Sequence, residues 1–236
     1  IVEWNDYGEN KPLIRQLTEN WDSSVFYKSR FLKHFNNYTN ISCSPLGARG
    51  YFTIMLINER DTRRERLLQV ADEMMTAART APKGKGFDII EVALVTDETI
   101  TQLSEAMLEY STKTGLKFIT RDAENILFAE AIVLIGTKQK THSLNCGYCG
   151  FDTCAAKNEF PDIPCSLNTV DVGIAIGSAC SVAADHRVDS RVMFSVGRVA
   201  LELNMLPGCN NIYGIPISCS SKSPFFDRIS KTPPVK

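Results

Sequence analysis

Ala131-Ile132-Val133-Leu134-Ile135-Gly136 is a run of residues that contains no polar side chain. A strand with one solvated face alternates apolar and polar residues, whereas a strand covered on both faces does not. The run therefore predicts a β-strand that is buried on both of its faces. Such a strand belongs to a layered protein in which both sides of the sheet are covered.

Helical and strand-like patterns alternate on either side of this run. Leu67, Val70 and Met74 recur at helical spacing in a predicted helix over residues 58–81, which Pro82 ends. Strands alternating with helices predict an α/β fold in the form of an α+β sandwich. The other predicted elements are strands at 89–95, 117–120 and 211–218, a helix capped by Asp97, and helices at 170–184 and 190–203.

The composition is that of a globular chain with balanced charge. Of its 236 residues, 44% are hydrophobic, and 26 basic residues stand against 27 acidic ones. This balance argues against a nucleic-acid-binding surface. The apolar stretches are interpreted as too short to span a membrane, and no secretory signal is recognised. The sequence therefore predicts a cytoplasmic protein of one or two domains.

Four cysteines follow the buried strand within a short segment. Cys146, Cys149 and Cys154 form a Cys-x2-Cys-x4-Cys run, and Cys165 follows a proline. Four thiolates on one loop are the ligand set of a cubane iron–sulfur cluster. The two glycines within the run allow backbone N–H groups to turn toward the sulfurs. The pattern predicts an inserted cluster loop over residues 138–165.

Two other uses of these cysteines stay open. Zinc also accepts four thiolates, although zinc loops usually pair two Cys-x2-Cys or His-x3-His units. Disulfides are a second alternative because the chain has eight cysteines, but a chain with this hydrophobic content does not need them. The other cysteines are interpreted as small buried residues, with Cys180 as a weaker fourth ligand: Cys43, Cys180, Cys209 and Cys219.

Residues 1–54 differ from the rest of the chain. They contain both tryptophans, Trp4 and Trp21, and no methionine. In one interpretation they are an extension that packs on the body of the protein or on a partner; in the other, the natural chain starts at Met55. The sequence thus divides into an N-terminal extension of uncertain origin, residues 1–54, and an α/β domain with the cluster loop, residues 55–236.

Six motifs follow one another along the chain: Asn58-Glu59-Arg60-Asp61, Ala78-Arg79-Thr80-Ala81-Pro82-Lys83-Gly84-Lys85-Gly86, Arg121-Asp122-Ala123-Glu124-Asn125, Asp171-Val172-Gly173-Ile174-Ala175-Ile176-Gly177-Ser178-Ala179, Asp189-Ser190-Arg191-Val192-Met193 and Gly214-Ile215-Pro216-Ile217-Ser218. In these motifs and their order, the chain from Met55 to Arg228 resembles the uncharacterised ferredoxin-domain-containing proteins of bacteria and archaea. The resemblance implies a four-iron four-sulfur cluster on the four cysteines of the loop. It implies little about the reaction, because the family is defined by its cluster and not by an activity.

A fainter resemblance extends to nitroreductase-type flavoproteins. A helix ending in Ala-Arg-Thr-Ala-Pro, a glycine-bearing turn, a strand and a helix are similar to the opening of that fold. The resemblance implies a homodimer with FMN at the subunit interface. Where those enzymes carry Ser, Asn and Gln after the proline, this chain has Lys83, Lys85 and Phe87. The arginines implied in holding the FMN phosphate are Arg60, Arg63, Arg64 and Arg228.

Two functional hypotheses follow from these patterns. In the first, the protein transfers electrons or is part of an oxidoreductase, and its cluster exchanges electrons with a partner protein or a small-molecule acceptor. In the second, it is a non-catalytic module whose metal, iron–sulfur or zinc, stabilises a partner-binding loop. Under either hypothesis, Lys83, Lys85 and His142 are interpreted as surface residues of loops.

Overall fold

The structure, a computed structural model, describes residues 41–44, 52–221 and 223–226. The chain divides into two compact units, Ile1–Thr62 and Arg63–Lys236, and each is described by itself. Most of the N-terminal extension predicted at residues 1–54 lies outside the described residues.

The described residues form six strands and six helices, with one short 3-10 turn at Gly84–Gly86. The strands are Ile41–Ser44 (β1), Phe52–Met55 (β2), Ile90–Thr96 (β3), Ala131–Lys138 (β4), Asp189–Ser190 (β5) and Cys209–Ser218 (β6). The helices are Glu59–Thr80 (α1), Glu98–Thr114 (α2), Lys117–Ile126 (α3), Cys154–Asn158 (α4), Ser166–Asp185 (α5) and Phe194–Glu202 (α6).

In the first unit, β1 and β2 form an antiparallel pair in which Ile41 lies opposite Met55. Helix α1 begins in this unit. The Asn58 Oδ1 atom accepts a hydrogen bond from the Arg60 N–H at 3.1 Å. A side-chain oxygen that satisfies a free N–H of the first turn is a common helix cap, so Asn58 explains where α1 starts.

The second unit is built around a four-stranded antiparallel sheet with the strand order β3-β4-β6-β5. Strand β4 contains the aliphatic run and pairs with β3 on one side and β6 on the other. Its residues from Ala131 to Thr137 are all buried. The prediction of a strand buried on both faces is therefore confirmed, and the strand extends to Lys138.

Alternate residues of β4 face two separate halves of the core. Ala131, Val133 and Ile135 pack in one cluster with residues of α1 and α5. Ile132 and Leu134 pack in a second cluster with residues of α2, α3 and α6. Helices therefore cover both faces of the sheet, and the predicted α/β sandwich is confirmed.

The predicted strand at residues 117–120 is wrong, because this segment begins α3. Gly115 ends α2 in the left-handed conformation, with φ of 75°, and α3 starts two residues later. Ile119, Ala123 and Ile126 are buried on one face of α3, which is helical spacing. A four-residue segment is too short for its period to distinguish a strand from a helix.

Two further predictions need correction at helix starts. The helix predicted at 190–203 begins only at Phe194, because Ser190 pairs with β6 and Met193 bridges Gly214. Asp97 precedes α2 as predicted, but its side chain makes no cap hydrogen bond. Instead, its carboxylate pairs with Arg64 at 2.5 Å.

The expectation that every apolar stretch is too short to cross a membrane is wrong for one helix. Within the described residues, the 20-residue helix α5 is long and apolar enough to do so, by length and composition only. The core helix of a soluble protein passes the same test. Ala175, Ala179 and Ala183 of α5 are fully buried in the core of the second unit.

Candidate functional site

The loop between β4 and α5 carries the four cysteines that the sequence predicts as ligands. Its backbone takes positive φ at Ser143 (54°), Asn145 (48°), Gly147 (72°) and Gly150 (86°). Glycine adopts this conformation without the strain that a side chain adds. The Gly150 N–H donates to the Gly147 carbonyl at 2.9 Å, which closes a tight turn around Cys149.

A reciprocal pair of hydrogen bonds joins the two ends of the cysteine run. The Asn145 N–H donates to the Cys154 Sγ atom at 3.4 Å. In return, the Cys154 N–H donates to the Asn145 Oδ1 atom at 2.8 Å. Because Cys146 follows Asn145 directly, these bonds hold Cys146 and Cys154 in the same part of the loop.

A second link brings the distant fourth cysteine back to the run. The Ser166 Oγ atom donates to the Tyr148 carbonyl at 3.0 Å. Cys165 precedes Ser166 and Cys149 follows Tyr148, so this bond places those two cysteines near each other. The four cysteines are therefore arranged as two linked pairs on one loop.

Four cysteine thiols are the donor type that a cubane cluster takes. Across residues 41–44, 52–221 and 223–226, no group of three or more His, Cys, Asp or Glu side chains is arranged to hold a single metal ion. A cubane binds one thiolate at each iron, so its ligands surround the cluster instead of converging on one point. Cys165 is buried, Cys149 and Cys154 are half-buried, and Cys146 is exposed, all as free thiols.

A single helical turn, α4, lies inside the loop and carries a buried lysine. The Thr153 Oγ1 atom caps this turn by accepting a hydrogen bond from the Ala156 N–H at 3.1 Å. Three residues after Cys154, Lys157 is only 1% exposed. Lysine is among the residue types that are almost never fully buried unless they are paired, so sequence reasoning missed this position.

His142 is buried, with 1% of its surface exposed, so its interpretation as a surface residue is wrong. Its Nε2 atom lies 3.0 Å from the Asp171 Oδ2 atom. The same carboxylate accepts the Gly84 N–H at 3.0 and 3.1 Å. These bonds connect the start of the cysteine loop, helix α5 after the loop, and the glycine turn that follows α1.

The glycine turn is less solvated than predicted. The Lys83 side chain is only 7% exposed and donates to the Ala81 carbonyl at 2.9 Å and to the Arg79 carbonyl. Its interpretation as a solvated charge is therefore wrong. Lys85 is exposed as predicted, and its ammonium donates to the His142 carbonyl at 3.2 Å.

The structure describes three of the four arginines that were predicted to hold an FMN phosphate. Arg64 is paired with Asp97, and Arg63 is also engaged by an interaction partner. Arg60 is exposed and belongs to the first unit. Arg228 lies outside the described residues. The FMN phosphate site therefore stays a prediction.

The cleft beside Arg64 does not suit a phosphate. It has a volume of about 200 Å³ and is lined by Arg64, Asp97 and Glu130 among other residues. Cofactor pockets are usually about 300–1,000 Å³ in volume. The Asp97 carboxylate already neutralises Arg64, and the buried Glu130 Oε2 atom has no hydrogen-bond partner within the described part of the chain. The two carboxylates disfavour an anion here.

The cysteines outside the loop differ from those within it. Cys180 lies on α5, and burial raises the pKa of its thiol, while a hydrogen bond with Ser190 partly offsets the effect. The pKa of Cys209 is raised to about 11, first by burial and then by the nearby Glu91 carboxylate. Both environments favour the thiol over the thiolate that binds metals. Cys43 lies in the first unit, and its side chain is outside the described residues.

The polar residues on the buried face of α5 were also missed. Asn168 and Asp171 are both buried, and Asn168 Nδ2 donates to the carbonyls of Lys138 at 3.2 Å and Lys140 at 2.6 Å. A usable signal was present in the sequence. These two residues lie three apart on the same helix face as Val172 and Ala175, which are both fully buried.

Solved structures with a similar fold are nitroreductase-like flavoproteins. The nitroreductase CinD of Lactococcus lactis is 11% identical, with a TM-score of 0.46, over 87% of this chain and 95% of that one. A nitroreductase with bound FMN from Desulfitobacterium hafniense is 13% identical, with a TM-score of 0.45, over 71% and 82% of the two chains. A BluB-like flavoprotein of Clostridium difficile is 16% identical, with a TM-score of 0.46, over 70% and 85%. At these identities the likeness concerns the fold alone.

Two sequence comparisons identify the family. The family model described as "Uncharacterized protein containing a ferredoxin domain" matches residues 162–228. An uncharacterized protein of Archaeoglobus fulgidus is 39% identical over 185 residues, which is 75% of this chain and 100% of that protein. Residues 162–228 include Cys165 and all of α5, the helix that follows the cysteine loop. The chain belongs to the family of uncharacterized proteins containing a ferredoxin domain.

Proposed function

We propose that the protein is a redox protein in which Cys146, Cys149, Cys154 and Cys165 hold a four-iron four-sulfur cluster. When bound, the cluster supplies one-electron chemistry. The single observation that carries the proposal is the pair of hydrogen-bonded links between residues 145 and 154 and between residues 148 and 166. A ferredoxin domain in the family description supports a redox role.

The chain's own residues supply position and charge for such a cluster. The positive φ values of Gly147 and Gly150 allow backbone N–H groups to face the sulfurs, which adjusts the potential of a cluster. Cys165 is only 6% exposed, so its side of the site excludes water. Four neighbouring free thiols survive only in a reducing compartment, which supports a cytoplasmic location as part of the proposal.

Metal and sulfide analysis of protein purified without oxygen tests the proposal. We expect about four irons and four sulfides per chain and a broad absorbance near 400 nm that bleaches reversibly when dithionite is added. Stoichiometric zinc with no visible absorbance would contradict the redox function and favour a structural metal. Sharper flavin bands beneath the cluster absorbance would support the FMN that the fainter resemblance implies, and extraction would confirm it.

A surface beside the cysteines supports a protein as the electron partner. Four large apolar side chains of the loop are exposed: Tyr148 by 78%, Phe160 by 52%, Leu144 by 46% and Ile163 by 40%. Loop residues 143–165 also expose three carboxylates and no basic side chain, since Lys157 is buried. An apolar centre with an acidic rim suits a partner that carries lysine and arginine around an apolar patch.

Loss of the three loop carboxylates is expected to slow electron transfer to a basic acceptor. The triple change Asp152→Asn, Glu159→Gln and Asp162→Asn should lower the rate of cytochrome c reduction about tenfold at low salt, and high salt should remove the difference. Stopped-flow absorbance measures the rate. The matched control changes three exposed carboxylates of α2, Glu98→Gln, Glu105→Gln and Glu109→Gln. Equal slowing by both triple variants would contradict a docking surface at the loop.

A further inference from the structure

Lys157 is a buried cation inside the cysteine loop. It is 1% exposed and is the largest of the fully buried side chains in the described part of the protein. It lies on α4, between Cys154 and Cys165. Transfer of an ammonium group from water to a protein interior is unfavourable unless an anion and hydrogen bonds replace the water. A buried lysine therefore raises the question of which anion faces it.

No carboxylate answers that question. None of the ion pairs formed within residues 41–44, 52–221 and 223–226 includes Lys157. The three carboxylates nearest to it in the loop sequence, Asp152, Glu159 and Asp162, are all exposed. Residues 143–165 thus place their three carboxylates in water and their one lysine inside. The groups in this loop that bind metals as anions are the four cysteine thiols.

Helix geometry places Lys157 on the side of α4 that carries a cysteine. The Thr153 cap and the bond from the Lys157 N–H to the Thr153 carbonyl, 3.1 Å, fix the helical turn. Residues three apart on a helix lie on the same face, with about 5–6 Å between their Cβ atoms. Cys154 and Lys157 have this spacing. Their side chains therefore share one face of the turn.

We propose that Lys157 is the buried counter-ion of an anionic metal–thiolate centre held by the four loop cysteines. The inference rests on the proposed function and adds a residue that acts on the charge of the site. A cluster held by four thiolates is anionic, and reduction adds one electron and no compensating proton. Lys157 therefore stabilises the reduced state more than the oxidised state and raises the reduction potential.

If Lys157 is a counter-ion, its replacement should have different effects on the metal-free and the metal-loaded protein. In the metal-free protein, Lys157 is a buried charge without an anion, so an apolar residue of similar length should be tolerated or should stabilise the fold. In the metal-loaded protein, the same change removes the counter-ion. A lysine that serves only to fill space would have the same effect in both states.

The test compares Lys157→Met with wild type in both states of the full-length protein. We expect the metal-free variant to unfold at the same temperature as wild type or higher. In the loaded variant, the equilibrium constant for one-electron reduction should fall at least tenfold, which is 59 mV for one electron. Dye-mediated redox titration measures the potential. Lys157→Arg should keep the potential within half of that shift, and Lys113→Met, on the exposed face of α2, should leave it unchanged.

The outcomes separate this inference from the proposed function. A Lys157→Met variant that retains its cluster at the wild-type potential, or that unfolds earlier without metal, overturns the counter-ion role. If wild type binds zinc and no iron, the redox function fails. The counter-ion role then predicts that Lys157→Met weakens zinc binding at least tenfold, and unchanged zinc binding overturns it. Wild type that binds neither metal overturns both proposals.

Discussion

Replacement of Cys165 by serine is expected to remove most of the iron from the protein. Loss of a residue that only orients a metal ligand already lowers metal affinity about 10–100-fold, so loss of a ligand should cost at least as much. Cys165 is only 6% exposed and directly precedes α5. The hydroxyl of serine is a weak ligand for the iron of iron–sulfur clusters, which favours thiolate ligands. We therefore expect at least a tenfold drop in retained iron and sulfide after anaerobic gel filtration.

The matched control is Cys180→Ser, because Cys180 is the alternative fourth ligand that the sequence left open. Burial raises the pKa of the Cys180 thiol, which disfavours the thiolate. Its position on α5, fifteen residues after Cys165, is remote in sequence from the cysteine run. We expect Cys180→Ser to retain wild-type iron and sulfide. Loss of the cluster from Cys180→Ser with retention in Cys165→Ser would exchange the roles of the two cysteines and contradict the proposed ligand set.

The fold was predictable wherever a pattern was long enough to show its period. The aliphatic run forms β4, because both the odd-numbered and the even-numbered residues of the run are apolar. Each of these two sets faces a separate half of the core. The long helix α1 was placed within one residue at each end, since its apolar spacing continues over many turns. The strand predicted at residues 117–120 was wrong for the opposite reason. Four residues fit both the helical period and the strand period, and only contacts with α2 and α6 decide between a helix and a strand.

The candidate ligand set could be predicted from the sequence, but the hydrogen-bonded arrangement of its loop could not. The spacing of Cys146, Cys149 and Cys154 is visible along the chain. The links that pair the cysteines join residues nine and eighteen positions apart, and no local rule specifies them. His142 was misjudged and Lys157 was overlooked, because the sequence supplies only average burial, which places lysine and loop histidine at the surface. Their burial results from the fold of the loop around them.

Gly197→Ala is expected to destabilise the second unit by about 3 kcal/mol, because overpacking typically costs 1–3 kcal/mol and this site cannot relax. A Cβ atom at Gly197 would lie 1.8 Å from the Ile212 carbonyl oxygen and 2.6 Å from the Tyr213 Cα atom. Both are backbone atoms of β6, which is held by β4 on one side and β5 on the other. A flexible side chain could relieve such a contact by changing its rotamer. The backbone of an interior strand cannot move without breaking the hydrogen bonds to its neighbouring strands.

The position of Gly197 explains why glycine occupies a helix interior, where it costs about 0.5–1 kcal/mol relative to alanine. On α6, Gly197 allows the helix backbone to approach β6. Opposite it, Gly214 of β6 accommodates Val196, since a Cβ atom there would lie 2.2 Å from the Val196 Cγ1 atom. The two glycines thus form one close contact between helix and strand. An alanine at Gly197 would separate α6 from the sheet and open the core cluster that includes Val196 and Val199.

Gly177→Ala on α5 is the matched control for this prediction. Gly177 is exposed, and a Cβ atom there would have no heavy atom within 4 Å. The same substitution should therefore stabilise the protein by about 0.5–1 kcal/mol through helix propensity alone. Urea denaturation followed by circular dichroism measures both changes. A Gly197→Ala variant as stable as wild type would contradict this prediction. It would mean that the backbones of α6 and β6 do not approach as closely as the structure shows.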